Sequence, residues 1–252
     1  SDKTVDIVQL NNINRSGDTN VDWMFRRTPG FFDIVAYQGT GTGAASPATQ
    51  DVSHNLQAVP ELMIVKYRED GSGSDPAYPW TVYHSTLGSG KYLKLNNQGE
   101  QTENGQWNGN PTDTVIKLGT NGYTNYNGWS YVAYLFASLP GVSKIGTYSG
   151  QSNGVDKNID CGFSSPARFV MIKRYDGGMT VANQGNWGIW DTARGIGTGN
   201  DNYLLLNLDN AEVTGYNDIS EYASGFTVNG ESGTTSGYWN VTGASYIYLA
   251  IA

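Results

Sequence analysis

The sequence predicts an all-β protein: two tandem antiparallel β-sandwich modules, jelly-roll or lectin-like, joined head to tail. Composition, the length of the apolar segments and an internal repeat carry that expectation. Only 15% of the 252 residues are charged, against about a quarter in an ordinary domain. Glycine (33 residues), Asn, Ser and Thr take their place, and 17 tyrosines dominate an aromatic content of 12%, a balance that suits turn-rich β-structure. The apolar segments are short, rich in Val, Ile, Tyr and Trp, and bounded by Gly, Asn, Asp or Pro, as strands are. No window of a dozen residues carries a sustained stripe of helical period, so minimal helix is expected.

The repeat gives the elements in order. Asp33–Gly39 is matched by Lys144–Gly150, Pro60–Lys66 by Pro166–Lys173, and Trp80–His84 by Trp187–Asp191. Tyr92–Asn96 is matched by Tyr203–Asn207, and Tyr131–Ala137 by Tyr246–Ala252. Tyr37 and Tyr148 stand 111 residues apart, as do Tyr92 and Tyr203; Tyr131 and Tyr246 stand 115 apart, and Trp80 and Trp187 107. Five segments in one order at a nearly constant offset define two copies of one unit. The runs Leu62–Val65 and Phe169–Ile172 are apolar without interruption, which predicts strands buried on both faces. Trp80–His84 alternates, with Trp80, Val82 and His84 on one side and Thr81 and Tyr83 on the other. Pro140 and Gly141 interrupt strand pairing. The expected organisation is therefore an amino-terminal strand or linker segment (1–25), a first module (26–139) and a second (140–252). Within the first segment, Thr4 to Leu10 alternates weakly, as an edge or inter-subunit strand would.

Several function classes are disfavoured. A net charge of −8, with 15 basic against 23 acidic side chains, opposes nucleic-acid binding. Cys161 is the only cysteine, so neither an intrachain disulfide nor a Cys-rich zinc site is expected; within Asn158–Phe163 it reads as a buried strand residue. Ser1–Asp6 lacks the apolar core of a secretory signal. The longest apolar run, Tyr131–Leu139, is too short for a membrane-spanning helix, so a soluble chain without membrane insertion is expected.

The run Arg26–Tyr37 resembles the opening motif of a repeated β-domain of unknown function found in bacteriophage tail-fibre and related virion proteins. Val52–Leu56, Pro60–Lys66, Tyr131–Gly141, Asp191–Gly195 and Tyr246–Ala252 are similar to its later motifs. The resemblance runs from Arg26 to the end. It implies a virion component, made in the host cytoplasm, on a tail fibre or spike, as a homo-oligomer such as a trimer in contact with other virion proteins. It transfers no catalytic residue.

Residues with chemical potential have simpler readings close by. His54 lies in a Ser-His-Asn turn, and His84 ends a strand where the second copy has Asp191; with no Gly-x-Ser-x-Gly motif, a hydrogen-bonded structural role is the expectation for both. Glu100 and Glu103, and Glu212 and Glu221, are loop acids near aromatics; they suit glycoside cleavage, sugar binding or simple solvation. The run Glu69–Asp75 collects acids and hydroxyls but lacks the pattern of a calcium loop, and Asp201 and Asp209 are similar loop acids. Gly39–Gly43 lacks the Lys-Ser/Thr of a phosphate loop and reads as a flexible hairpin tip. No catalytic residue, metal or cofactor is expected.

The richest surface is the loop set before each closing strand. Asn96–Trp129 carries Trp107, Tyr123, Tyr126 and Trp129, and Asn207–Trp239 carries Tyr216, Tyr222, Tyr238 and Trp239, all among amides and glycines. Aromatic rings offer sugars an apolar platform, and amides bond their hydroxyls; the same residues serve protein recognition, core capping or subunit contacts. The expected function is non-enzymatic: a tail-fibre or spike protein displaying loops for attachment to a host-surface glycan or protein receptor. A capsid-decoration or filament-forming protein without a receptor role is the alternative, and a polysaccharide depolymerase the third reading.

Overall fold

A computed structural model of the protein describes residues 23–43, 45, 48–69, 78–101, 105–151, 154–177, 185–197, 199–230 and 238–252. The segment Thr4–Leu10 and most of Glu69–Asp75 lie outside these. Among the described residues the protein is nearly all β, in antiparallel sheets. The first half forms β1 (Phe32–Gln38), β2 (Gln50–Ser53), β3 (Leu62–Glu69), β4 (Thr81–His84), β5 (Tyr92–Lys94), β6 (Glu100–Gln101), β7 (Val115–Leu118), a single-turn helix α1 (Gly122–Asn125) and β8 (Ser130–Phe136). The second forms β9 (Ser143–Ser149), β10 (Lys157–Asp160), β11 (Phe169–Arg174), β12 (Trp187–Asp191), β13 (Leu204–Leu205), β14 (Ile219–Tyr222), β15 (Gly225–Val228) and β16 (Ser245–Ile251).

The two halves weave the same order. One large sheet runs β1-β8-β3-β4-β5-β6; the other, read from its β9 edge, runs β9-β16-β11-β12-β13. Beside them lie smaller sheets, β2-β7 and β10-β15-β14. The strands that correspond by sequence therefore hold corresponding places, while β6 and β14 belong to one copy each. Between Phe136 and Ser143 the chain turns tightly over Pro140 and Gly141 (φ 73°), closed by Val142 N donating to Leu139 O at 2.9 Å.

Burial explains the unbroken apolar runs. Met63 and Val65 join Val52, Ile116 and Leu118 of the small sheet in one cluster. Val170 and Ile172 join Ile159, Phe226 and Val228 in another. The alternate residues, Leu62 and Ile64 with Phe169 and Met171, meet in a third cluster that includes Phe136, Trp187, Ile189 and Leu249. Each large sheet thus has a small sheet on one face and the other large sheet on the opposite face, which leaves no polar side to alternate with. Trp23 and Phe25 pack into this shared layer, with Phe25 at 5.6 Å from the Phe136 ring and 6.1 Å from Phe169. The end of the expected linker is therefore built into the fold.

Polar bonds also cross the layer. Trp187, 1% exposed, donates its indole N–H to Lys94 O at 3.0 Å. Trp80, its counterpart, is 36% exposed and stacks on Tyr134. Lys173 is fully buried and donates Nζ to Gly185 O of its own half and Gln98 O of the other. Lys66 makes the equivalent bond to Tyr78 O at 2.8 Å.

Candidate functional site

The aromatic loops stand on a framework that is bonded alike in both halves. Tyr37 and Tyr131 stack at 5.2 Å, and Tyr148 and Tyr246 at 4.7 Å. The Tyr131 hydroxyl accepts from Tyr126 N and donates to Gly122 O; the Tyr246 hydroxyl accepts from Val241 N and donates to Tyr238 O. Tyr37 donates to Thr124 O and Tyr148 to Trp239 O, at 2.7 and 2.6 Å. Burial raises all four phenols well above their ordinary range or, for Tyr246, up to about 12; they act as neutral donors at every physiological pH.

Asn125 and Asn240 complete the framework. The Asn125 carboxamide accepts from Thr40 N and Gly41 N and donates to Gly119 O and Ala48 O. Asn240 accepts from Gln151 N and donates to Val155 O and Val228 O. This corrects the reading of Gly39–Gly43 as a free hairpin tip. Gly39 N donates to Trp129 O at 2.8 Å, Thr42 N to Asn125 O at 3.0 Å, and a Cβ at Gly39 would sit 2.2 Å from Tyr126 O. Glycine is required there for close backbone approach.

Above this frame the copies diverge. In the first, Tyr126 and Trp129 stack at 4.1 Å, and Trp129 lies 4.7 Å from Tyr67 and 5.3 Å from Tyr78. Tyr123 packs edge-on against Tyr78 and Tyr92. The Lys94 ammonium lies over Tyr92 and Tyr123, 5.9 and 5.5 Å from the ring centres. Tyr123, Tyr126 and Trp129 are half-buried. Trp107, in contrast, is 6% exposed, sits edge-on to Tyr83 and donates to Lys91 O. It is a core residue rather than an open platform.

In the second copy the loops border an open hollow of about 160 Å³, lined by buried Tyr203 and Trp239, half-buried Leu205, Val213, Tyr216 and Tyr238, and Asn186 and Asn210. Tyr203 and Trp239 meet edge to face at 6.0 Å, and Trp190 backs both. Trp239 is 2% exposed, so it reaches the hollow from the core. Burial raises the Tyr203 phenol, and the nearby Asp218 charge and the Tyr216 and Tyr238 phenols raise it further. Tyr222 lies on β14 opposite Gly225, apart from the hollow. The sequence therefore marked three of the four aromatic lining residues and missed Tyr203, whose only sign was its match to Tyr92.

The titratable candidates have structural partners. His54 Nδ1 accepts from Leu56 N, and its Nε2 lies 3.2 Å from Thr112 O. His84, pushed down to about 4 by burial, accepts from Thr86 N. In its place Asp191 pairs with Arg194 at 2.9 Å and accepts the Trp23 indole N–H. Glu212 accepts from Asn202 and faces Arg194 at 3.7 Å; Glu221 is exposed on β14, beside Gly197. Glu103 and the Glu100 side chain lie outside the described residues. Asp201 accepts from Ile219 N, and Asp209 is exposed. No group of three His, Cys, Asp or Glu side chains capable of holding a metal occurs among the described residues, and no helix among them is long and apolar enough to cross a membrane.

The chain belongs to a family described as a domain of unknown function (DUF7483), whose match spans residues 3–252. The match takes in both copies together, and with them residues 3–25, which the sequence reading set apart. No curated protein and no solved structure matches the chain.

Proposed function

We propose that residues 26–139 and 140–252 are two tandem antiparallel β-sandwich modules of a virion protein of the tail-fibre or spike type, and that the second displays its loops to a host-surface glycan. One observation carries the reading. The Tyr37–Tyr131 and Tyr148–Tyr246 frames are bonded alike, yet the loops they hold differ, and in the second copy those loops leave an aromatic hollow between Tyr216 and Tyr238. A frame kept twice under loops that diverge suits presentation. Aromatic rings beside amides suit a saccharide. The virion setting rests on the resemblance of Arg26–Tyr37 and the later motifs.

In such a particle the chain assembles as a homo-oligomer, so that weak single-site affinity is multiplied by several linked copies. The test is binding of the labelled chain to a panel of bacterial cells and to an array of their envelope glycans. Binding to at least one, weakened tenfold or more by Tyr216→Ala with Tyr238→Ala, is the expected result. A chain that binds none of them, while mass measurement shows a defined oligomer, has the scaffolding role of a decoration or filament protein instead.

A further inference from the structure

The two copies differ at one strand position in a way that bears on what the hollow holds. Lys94 of β5 and Leu205 of β13 are equivalent: each follows two residues after the matched tyrosine, Tyr92 or Tyr203, and each pairs with the matched strand, at Thr81 or Gly188. In the first copy the Lys94 ammonium occupies the space over Tyr92 and Tyr123. In the second the corresponding rings, Tyr203 and Tyr238, remain, joined by Tyr216 and Trp239 around the hollow, but Leu205 supplies no cation. The same aromatic corner holds the chain's own cation in one copy and, among the described residues, none in the other.

We propose that the hollow beside Leu205 is an aromatic cage for the ammonium group of a host-surface glycan, an amino sugar or a choline substituent. Aromatic rings lining one small space can attract a cation through the negative potential of their faces, as in the recognition of quaternary ammonium heads. The surroundings agree in sign: Asp218 is close enough to act on the Tyr203 phenol, and the whole chain carries −8. Size agrees too. A hollow of about 160 Å³ exceeds by far the ~10–15 Å³ that admits one water, which leaves room for a trimethylammonium head or the amino edge of a sugar.

The proposal rests on the attachment reading for the source of its ligand, and on the Lys94–Leu205 contrast for its chemistry. Isothermal titration of the full chain with choline against its neutral carbon isostere 3,3-dimethylbutanol, and with glucosamine against glucose, tests it. At least one ammonium compound binds about tenfold or more tighter than its neutral partner; equal affinities in both pairs overturn the proposal. Leu205→Lys places a tethered cation where Lys94 sits and abolishes that binding at an unchanged melting temperature. Binding undiminished in a folded Leu205→Lys protein also overturns it. If that variant does not fold, Tyr216→Leu, at a half-buried position, lowers ammonium affinity about threefold or more, and an unaltered affinity counts against the cage. The two readings fail separately. Cells that still bind under saturating choline show attachment by another surface with the cage intact. Cell binding lost in Tyr216→Ala with no ammonium preference removes the cage and leaves attachment.

Discussion

Replacing Asn125 by alanine tests whether the shared frame holds the loops. The side chain is fully buried and bonds four backbone groups: Thr40 N at 2.7 Å, Gly41 N at 3.2 Å, Gly119 O at 2.7 Å and Ala48 O at 3.1 Å. Thr40 is exposed and Gly41 and Gly119 are buried, so water replaces some of these bonds and not others. A made bond is worth about 1 kcal/mol net, and a stranded buried group costs about 1–3; together the variant loses about 4 kcal/mol. At a urea slope of about 3 kcal/mol per molar, the unfolding midpoint falls by more than about 1 M. Asn240→Ala falls comparably, because its partners Gln151 N and Val155 O are the counterparts of Thr40 N and Ala48 O. Asn125→Asp keeps the two accepted bonds but turns a carboxylate against the Gly119 and Ala48 carbonyls, and is no milder. A midpoint shift below about 0.3 M at unchanged slope would refute the assignment of Asn125 as the anchor of these loops.

Three further outcomes follow from the same structure. Gly39→Ala and Gly150→Ala, whose new Cβ atoms would lie 2.2 and 2.0 Å from Tyr126 O and Val241 O, each lose at least about 2 kcal/mol in urea melts, whereas Gly90→Ala, which meets nothing within 4 Å, changes stability by under about 0.5. Cys161, buried and with its thiol pushed up to about 12, resists a disulfide reagent at pH 8 in the native protein and reacts promptly in urea. Stability rises with pH in two windows, because the unfolded chain holds a proton that burial removes from the folded one: between about 4 and 6.5 for His84, and upward from about 7 for Lys173 until the buried tyrosines, kept neutral only by folding, reverse the slope above about 10. His84→Asn reduces the slope of the first window, leaving the share of His54, which burial also pushes down, and Lys173→Met removes the second, both read by denaturation at fixed pH.

Much of the architecture was legible because it is local. Short Val-, Ile- and Tyr-rich runs became strands, and the unbroken apolar stretches Leu62–Val65 and Phe169–Ile172 announced burial on both faces, which is what two flanking sheets demand. The repeat reached further still: equivalent strands occupy equivalent places in the two large sheets. What stayed hidden depends on contacts between residues distant in the chain. Gly39–Gly43 reads as a flexible tip until Asn125, some 85 residues on, is seen to cap it. Trp107 and Trp239 sit among loop residues in sequence, yet their rings turn inward to the core. The contrast of Lys94 with Leu205 was in plain view in the aligned strands. It acquired meaning only once Tyr123 and Tyr238 were seen to fold back over them.

The layer between the large sheets changes what the repeat means. Leu62, Val82, Leu93 and Phe136 from the first half and Phe169, Trp187, Ile189 and Leu249 from the second are all buried in one cluster. A half on its own would present that face to water, and burying one such large side chain is worth about 1.5–3 kcal/mol. The halves are therefore joined by a shared apolar layer, and the family match, which spans both together, fits a unit of two. Such a pairing fixes one copy relative to the other. The layer holds Trp187 buried against Lys94 O while its counterpart Trp80 stands exposed, so the two copies face unlike surroundings. One copy also carries Lys94 over its aromatic corner while the other has Leu205 at that strand position, on a frame bonded alike.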